Sequence, residues 1–437
     1  MKKVGVCTLG CKVNQYETDL MEKMLKESLR YEIVDFEEKA DIYIINSCSV
    51  TNLATRKSRQ FLSRAKKMNK DAIIVLAGCY AEEVNKANGF DILRNVDIII
   101  GNEEKNDIVS ILDNYKKKEK TAQIKLKDIS KVKKYYQISS LDKGRNIREQ
   151  IKIEDGCNNF CTYCIIPYTR GRVRSRSLED ILEEVKKITR NNVKEIVIVG
   201  IEIASYGQDI KEDISLIDVV EKINEIETVE RIRLGSIEPR WLTDENIARL
   251  SKVSKLCHHF HISIQSLSTS VLKRMNRKYT AEFVMDRIKK LRETFIDPGI
   301  TTDLIVGFIN ETEDEFNDTL ENVRIIKFSD MHVFRFSKRK MTAAYNMETT
   351  VTNEDLDRRS KILIQAGKES QYEFLKKYVG TTQKVLIDEE KNGYYYGYTD
   401  NYLKVKCKGL SVLWGWVQDL ELISIEGNYL IGKEVQK

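Results

Sequence analysis

Three cysteines on one short loop constrain this chain more than any other feature of its 437 residues. Cys157, Cys161 and Cys164 are spaced as CxxxCxxC, directly after the apolar run 151–153. A structural zinc site normally has four Cys or His ligands, and the nearest histidine, His258, lies far downstream. Three thiolates that leave one coordination position open instead favour an iron-sulfur cluster, with metal sites of other kinds as the alternative.

The composition predicts a cytoplasmic protein of about three domains that uses metal or redox chemistry. No run approaches the roughly twenty apolar residues of a membrane span, and a strand pattern begins too soon after Met1 for a signal peptide. Six of the nine cysteines fall into two groups of three. The other three, Cys7, Cys257 and Cys407, are predicted to be buried packing residues.

Residues 1–113 alternate short apolar runs with helical periods, which predicts a doubly wound α/β sheet. The expected strands are 4–9, 42–45, 73–76 and 98–100. Cys11, Cys48 and Cys79 each follow the carboxyl end of one of these strands, the edge at which ligands gather in such sheets. One buried cysteine there is unremarkable, but three in one domain favour a second three-cysteine cluster over coincidence.

Six strand-and-helix units follow, and they predict a partial (β/α)6 barrel in a domain spanning 147–372. The expected strands are 151–153, 196–199, 231–234, 260–264, 302–306 and 332–336. The CxxxCxxC loop follows the first of these strands, so we expect the cysteines at the mouth where the strand ends converge. Gly200 and Glu202 end the second strand in the same way, although a glycine there is also ordinary turn chemistry.

Residues 375–437 read as a small closed barrel of five short strands. The expected strands are 384–387, 394–398, 402–406, 417–425 and 429–431. Exposed tyrosines could contact nucleic acid, yet from Gly380 onward seven Lys or Arg are matched by eight acids. Charge alone therefore does not identify this barrel as an RNA-binding domain.

Positive charge is concentrated in two other places, although the net charge of the chain is only +6. A linker predicted at 114–146 is strongly basic, which is typical either of a solvated segment or of a contact with phosphates. Four arginines then alternate after the cysteine loop. On an extended segment they would share one face, which favours a contact with RNA or cofactor over structural ion pairs. These are Arg170, Arg172, Arg174 and Arg176, and Lys338 and Arg339 could extend the same surface.

The cysteine spacing resembles that of the radical S-adenosylmethionine enzymes. Tyr163 precedes the last cysteine, and Asp155, Gly156 and Pro167 flank the loop. The resemblance implies a [4Fe-4S] cluster on these three cysteines that binds S-adenosylmethionine and cleaves it reductively. It also implies the following cofactor contacts: Tyr163, Gly200, Glu202, Gln265, Ser266, Ser268, Asp303, Gly307 and Glu311.

Over essentially its whole length the chain resembles the methylthiotransferases, which end in an RNA-binding barrel of the TRAM type. The segment Thr8-Leu-Gly-Cys-Lys-Val-Asn-Gln-Tyr-Glu17 is similar to the corresponding segment of the branch that acts on N6-threonylcarbamoyladenosine in tRNA. The isopentenyladenosine branch has Gln-Met-Asn in place of Lys12-Val-Asn14. The resemblance implies methylthiolation of carbon 2 of the modified adenosine just 3′ of the anticodon, with tRNA as substrate and a flavodoxin or ferredoxin as electron donor.

The resemblance assigns a task to each cysteine group. A ring hydrogen on adenine is not acidic, so no catalytic acid or base is expected and a radical is required. The cluster on Cys157, Cys161 and Cys164 would generate that radical. A second [4Fe-4S] cluster, on Cys11, Cys48 and Cys79, would carry the sulfur.

The chain departs from the family pattern in the loops expected to surround the cofactor. The family has Gly at the positions of Leu267, Asn310 and Met341 and Pro at those of Ile309, Arg335 and Ala343. Loss of Gly strains a loop that needs a positive φ, so we expect altered cofactor loops. Two other interpretations remain: methylthiolation of an isopentenyladenosine tRNA or a protein side chain, and a non-catalytic metal-containing RNA-binding protein.

Overall fold

The computed structural model describes residues 1–86, 95–116, 122–137, 141, 146–409 and 415–435. The first domain is a sheet of six parallel strands in the order β2-β1-β3-β4-β5-β6. The strands are β1 Lys2–Thr8, β2 Tyr31–Val34, β3 Ile42–Ser47, β4 Ile73–Gly78, β5 Ile98–Ile100 and β6 Gln123–Lys125. The helices are α1 Lys12–Glu27, α2 Asn52–Met68, α3 Cys79–Lys86 and α4 Ile108–Asp113.

Helices cover both faces of this sheet, as the sequence predicted. Met21 and Leu25 of α1 pack with Ile108 of α4 on one face, while Leu62 of α2 and Tyr80 of α3 pack on the other. The central strand β3 is buried along all six residues, which explains its continuous apolar run. The predicted linker 114–146 is corrected in part, because its residues Gln123–Lys125 add β6 to the sheet by pairing with β5.

The second domain is an open half-barrel of parallel strands. Its strands are β7 Arg148–Lys152, β10 Glu195–Val199, β11 Arg231–Leu234, β12 Ser236–Ile237, β13 His259–Gln265, β14 Gly299–Val306 and β15 Asp330–Arg335. Strands β11-β10-β7 form one sheet and β12-β13-β14-β15 another, and only Gly235 separates β11 from β12. A side chain at Gly235 would meet the carbonyl of Ile198 at 2.7 Å. The bend there joins both sheets into the six-stranded partial barrel that was predicted.

The remaining elements of this domain are a small ribbon and the outer helices. The ribbon pairs β8 Glu154–Asp155 with β9 Arg174–Ser175. The helices are α5 Ile166–Thr169, α6 Leu178–Thr189, α7 Leu216–Asn224, α8 Asp244–Leu250, α9 Thr269–Arg274, α10 Ala281–Thr294, α11 Glu313–Ile326 and α12 Asn353–Lys376.

Alternation along the strands separates the packed side of the half-barrel from its lumen. On β13, Phe260, Ile262 and Ile264 are buried in the core, whereas His261 and Ser263 are only partly buried. Successive side chains of a strand point to opposite faces, so the polar residues line the interior. The domain therefore takes its stability from the outer layer of helices and keeps a polar lumen.

The third domain is a closed five-stranded barrel in the order β16-β17-β18-β20-β19. Its strands are β16 Thr382–Lys391, β17 Tyr394–Tyr398, β18 Lys404–Lys408, β19 Val417–Glu426 and β20 Tyr429–Glu434. Arg231, which begins β11, donates hydrogen bonds to the carbonyls of Tyr398 (3.1 Å) and Thr399 (2.6 Å). The small barrel therefore packs against the amino-terminal end of the half-barrel strands. Tyr398 and Tyr402 face that interface, so these two tyrosines are not exposed to RNA.

The prediction that Cys7, Cys257 and Cys407 are buried has a mixed outcome. Cys257 and Cys407 are buried as expected, whereas Cys7 is only half-buried. In the part of the chain that the structure describes, no helix is long and apolar enough to cross a membrane.

The residues that depart from the family pattern differ in the backbone strain that they carry. Met341 has a φ of 70° and Asn310 one of 53°, so both occupy the left-handed region that favours glycine. Leu267 is not among the positive-φ residues and is fully buried in the core. Strain is therefore expected at Met341, which lacks the short polar side chain with which Asn tolerates this conformation.

Met341→Gly is expected to stabilise the protein by about 1 kcal/mol, because glycine adopts the left-handed conformation without strain. The change is measured as a higher midpoint of thermal unfolding. Leu267→Gly is the matched control and is expected to destabilise by at least about 2 kcal/mol, since it empties a buried site. A lower midpoint for Met341→Gly would contradict strain at this position.

Candidate functional site

The CxxxCxxC loop is held by backbone hydrogen bonds at the carboxyl-terminal end of the half-barrel. Cys157 N–H donates to the carbonyl of Gly171 (3.1 Å) and Thr162 N–H to that of Met275 (3.1 Å). Gly156, just before the loop, has a φ of 85°, and a side chain there would lie 2.0 Å from the Arg172 carbonyl. Glycine is therefore required where the chain turns from β8 into the loop.

All three cysteines of this loop face one cavity of about 280 Å³. The cavity lies at the carboxyl ends of the strands, as the sequence predicted, and four of the predicted cofactor contacts line it. These are Tyr163, Glu202, Gln265 and Asp303. Gly200 does not line the cavity, and a side chain at this position would lie 2.1 Å from Glu154 Oε1.

Four further predicted cofactor contacts do not line this cavity, and the structure corrects the prediction for them: Ser266, Ser268, Gly307 and Glu311. Ser266 and Ser268 are buried against α11, where Ser266 Oγ lies 3.3 Å from Thr319 Oγ1. Glu311 accepts a hydrogen bond from Gly307 N–H (2.7 Å) and pairs with Arg359 (3.0 Å). Alternation and loop packing turn these side chains away from the cysteines, so direct contact is not supported.

Sequence reasoning missed Arg277, which is the cation beside this cysteine group. Arg277 Nη1 lies 3.4 Å from Cys161 Sγ, and Nη2 donates to the Ser263 carbonyl (2.8 Å). Nε donates to the Tyr279 hydroxyl (2.6 Å), which fixes the guanidinium. An isolated arginine more than a hundred residues after the loop carries no spacing signal, so only the fold could reveal it.

The donor set of the cavity fits an iron-sulfur cluster. Burial raises the pKa of Cys157 and raises that of Cys164 to about 12, so these thiols need a metal cation to be thiolates. In the part of the chain described, no three His, Cys, Asp or Glu side chains are grouped to hold a single metal ion. Among the described residues, the buried Glu202 Oε1 has no hydrogen-bond partner. It can therefore accept a hydrogen bond from the amino group of a ligand.

Cys11, Cys48 and Cys79 also come together, at the carboxyl edge of β1, β3 and β4. A side chain at Gly10 would lie 2.8 Å from Cys48 Sγ, so the loop before Cys11 is packed on Cys48. Burial, and next the charge of Cys79, raise the pKa of Cys48 to about 12. The residues just after Cys48, Val50 and Thr51, line the cavity of the CxxxCxxC loop. The segment that follows Cys48 therefore lines the same cavity as the CxxxCxxC loop.

The predicted arginine surface is wrong for three of its four members. Arg170, Arg174 and Arg176 are buried and ion-paired, with Arg176 bound to Glu184. Only Arg172 is exposed, and it stacks on the Phe160 ring at 4.2 Å. The segment is not one extended strand, so the alternation does not produce a shared exposed face.

Arg170 connects the two cysteine groups. Its Nε donates to Cys79 Sγ (3.3 Å), and its Nη1 pairs with Glu17 (2.7 Å) and Asp155 (3.0 Å). Glu17 belongs to α1 of the first domain, whereas Asp155 lies two residues before Cys157. The arginine interpreted as an RNA contact is therefore part of the domain interface.

Arg339 is another correction. It is buried, and its Nη1 donates to Asn52 Oδ1 (2.9 Å) at the start of α2. Lys338 is half-buried and donates to the Met347 carbonyl. The loop after β15 therefore binds the first domain through Arg339, and Arg339 does not extend a basic surface.

A basic face that the sequence reasoning did not identify runs along α2. A groove of about 400 Å³ is lined by Arg56, Arg59, Gln60, Ser63, Arg64 and Lys67. These residues recur at helical spacing, which is the signal that could have revealed the face. Because α2 begins beside the cavity, the face leads away from the cysteine groups across the surface.

Comparisons with known proteins agree with this arrangement. The Radical SAM superfamily matches residues 151–323, and a family described as uncharacterized, UPF0004, matches residues 3–101. A radical S-adenosylmethionine methyltransferase from Kitasatospora setae shares the fold, with a TM-score of 0.58 and 14% identity over 79% of this chain and 77% of that chain.

Full-length relatives identify the family. A threonylcarbamoyladenosine tRNA methylthiotransferase of Bacillus subtilis is 37% identical, over 100% of this chain and 97% of its own length. A protein of the same description from Thermotoga maritima is 37% identical, over 94% and 92%. A tRNA-2-methylthio-N(6)-dimethylallyladenosine synthase of Clostridium tetani is 34% identical, over 98% and 95%. The chain therefore belongs to the radical S-adenosylmethionine methylthiotransferase family, in the branch named for threonylcarbamoyladenosine tRNA.

Proposed function

We propose that this protein methylthiolates carbon 2 of N6-threonylcarbamoyladenosine beside the anticodon of tRNA. Family membership brings S-adenosylmethionine and a [4Fe-4S] cluster as cofactors. Two observations carry the proposal. Val50 and Thr51, which follow Cys48, line the cavity of the CxxxCxxC loop, and Arg170 contacts both Cys79 and Asp155.

Cys157, Cys161 and Cys164 would hold the cluster that binds S-adenosylmethionine. The chemistry that this cluster would supply is one-electron reductive cleavage of a carbon–sulfur bond of the sulfonium. Arg277 balances thiolate charge at Cys161, and Glu202 and Asp303 offer carboxylates to the cofactor. The apolar side chains of Ile165, Ile201, Ile305, Phe334 and Phe336 line another part of the cavity.

Cys11, Cys48 and Cys79 would hold a second [4Fe-4S] cluster, and the chemistry it would supply is donation of the sulfur. Arg170 Nε and Asn102 Nδ2 lie 3.3 and 3.7 Å from Cys79 Sγ, so this thiolate receives two donors. Such donors stabilise negative charge on the ligand sulfur and tune the cluster. A flavodoxin or ferredoxin supplies the electron.

The basic face of α2 positions the tRNA. Its exposed arginines and lysine suit a run of phosphates, and it begins where Val50 and Thr51 line the cavity. Phosphate contacts of this kind orient a nucleic acid without reading its sequence. The modified adenosine would then extend from the anticodon loop into the cavity.

Anaerobic reconstitution with iron and sulfide, followed by incubation with S-adenosylmethionine, dithionite and threonylcarbamoyladenosine-containing tRNA, tests the reaction. We expect a nucleoside heavier by one methylthio group less a hydrogen, detected by mass spectrometry. An isopentenyladenosine tRNA is the comparison substrate. Product from that tRNA alone would assign the protein to the other reaction, and two assembled clusters without cleavage of S-adenosylmethionine would favour a non-catalytic protein.

Cys157→Ala and Cys79→Ala are expected to separate the two tasks. Cys157→Ala should abolish formation of 5′-deoxyadenosine, whereas Cys79→Ala should leave it and stop sulfur insertion. Each variant should lose about half of the reconstituted iron, because one of two clusters is lost. Equal loss of 5′-deoxyadenosine in both variants would contradict the division of labour. Cys407→Ala, in the small barrel, is the matched control and should change neither readout.

Removal of three charges from α2 is expected to weaken tRNA binding. A variant with Arg56, Arg59 and Lys67 changed to Ala should bind tRNA about tenfold or more weakly, and the slope of log affinity against log salt should fall by about one unit for each lost phosphate contact. The control variant changes Lys273, Lys289 and Lys368, which are exposed on other helices. Equal weakening in both variants would show a general charge effect and no specific surface.

A further inference from the structure

Three of the four histidines of this chain lie in the lumen of the half-barrel. His259 and His261 belong to β13, and His332 belongs to β15. All three line a cavity of about 200 Å³ beside the small barrel. In the part of the chain that the structure describes, they are not grouped to hold a metal ion, so a zinc site does not explain them.

Two of these imidazoles contact the carboxylate of Asp303, one at each oxygen. His261 Nε2 lies 3.3 Å from Oδ2, and His332 Nδ1 lies 3.0 Å from Oδ1. Asp303 lies on β14, between the two histidine-bearing strands, and is directly opposite His332 in the strand register. The pair therefore restrains the orientation of the carboxylate from both sides.

A chain of hydrogen bonds determines which nitrogen of His261 carries the proton. Burial alone would raise the pKa of Asp303, but hydrogen bonds from the two imidazoles bring it below its ordinary value. An ionised carboxylate can only accept, so His261 Nε2 must donate. Nδ1 of the neutral ring then accepts from the Thr301 hydroxyl (2.9 Å), whose oxygen accepts from His259 Nε2 (3.2 Å). The orientation of His261 is thus fixed by partners on both of its nitrogens.

Asp303 also borders the other cavity of the lumen. It lines the cavity of the CxxxCxxC loop, and 29% of its side chain is exposed. Glu202 reaches this cavity from the loop after β10, which pairs with β7, whereas Asp303 belongs to the other sheet of the half-barrel. An elongated ligand bound at the cysteines and Glu202 can therefore present its opposite end to Asp303.

We propose that His261 and His332 are positioning residues, which hold Asp303 as the acceptor for the ribose hydroxyls of S-adenosylmethionine. This inference rests on the cofactor site of the proposed function. A ribose presents two neighbouring O–H donors, and an ionised carboxylate can accept from both. His261 should contribute more than His332, because 14% of its side chain is exposed against 61%, and water competes less for a buried hydrogen bond.

Binding of S-adenosylhomocysteine to the anaerobically reconstituted protein, measured by calorimetry, tests this role without turnover. His261→Leu removes the donor and should weaken binding by about fivefold or more, and His332→Leu by about twofold. His261→Gln places an amide N–H near the position of Nε2 and should keep most of the affinity. His258→Leu is the matched control, because His258 pairs with Asp400 outside both cavities, and it should change nothing.

An analogue of S-adenosylhomocysteine that lacks both ribose hydroxyls supplies the second arm. The wild-type protein should bind this analogue about fivefold or more weakly than the parent, and His261→Leu should lose nothing further. The thermal unfolding midpoint of each variant shows that the affinity change does not come from unfolding.

Nitrogen-15 NMR of the histidine rings gives a readout that does not depend on affinity. The chain has only four histidines, so each signal can be assigned by substitution. His261 should carry a proton on Nε2, and its nitrogen signals should shift when S-adenosylhomocysteine binds to Asp303. A proton on Nδ1 alone would overturn the positioning role, because Nε2 could not then donate to the carboxylate.

The outcomes separate this inference from the proposed function. Equal weakening of the parent ligand and the analogue by His261→Leu would overturn it, because the imidazole would then support the cavity as a whole; unchanged affinity for the parent would overturn it as well. If the wild-type protein forms no methylthio nucleoside yet the ligand series holds, the proposed reaction fails and the positioning role stands. If the nucleoside forms and the ligand series fails, the reaction stands and the positioning role fails.

Discussion

The buried ion pairs of Arg170 fix the position of one cysteine group relative to the other. Its side chain is 0% exposed and contacts Glu17 of the sheet domain, Asp155 before the CxxxCxxC loop, and Cys79. Burial alone would raise the pKa of Asp155, but the charges of Arg170 and Lys152 bring that pKa below its ordinary value. Removing one member of such a network leaves buried charge unpaired, at a cost of about 3–5 kcal/mol. The interface is therefore specific in a way that apolar packing would not be.

In the half-barrel, side chains on one face of the strands stabilise the domain and those on the other face are available to ligands. Its outward side chains pack under the helices, while its lumen keeps Ser263, Asp303 and Arg233 available to ligands. A closed barrel of eight strands would fill this interior with apolar side chains. Six strands leave it open toward the sheet domain, and the small barrel covers the other end through Arg231 and Tyr402.

Basic residues in this chain have two different roles that their spacing does not distinguish. Arg170, Arg174 and Arg176 are internal because Glu17, Glu103 and Glu184 pair with them in the fold. The cations of α2 remain outside, because the apolar side of that helix, including Leu62 and Ala65, already packs on the sheet. Whether an arginine binds RNA or closes an interface depends on which carboxylates the fold brings to it.

Local sequence patterns were enough to predict most elements and the ligand-bearing loops. Apolar periodicity located most strands of the three domains but missed β2 and β6 of the first sheet. The loop and strand-end positions of the two cysteine groups agree with the prediction, because these signals come from neighbouring residues. Local patterns do not reveal that Arg277 lies beside Cys161 or that Arg170 is an interface residue; both are contacts of the folded chain. These contacts join residues that lie far apart in the chain. Packing and charge pairing between domains select them, and no local sequence pattern records such contacts.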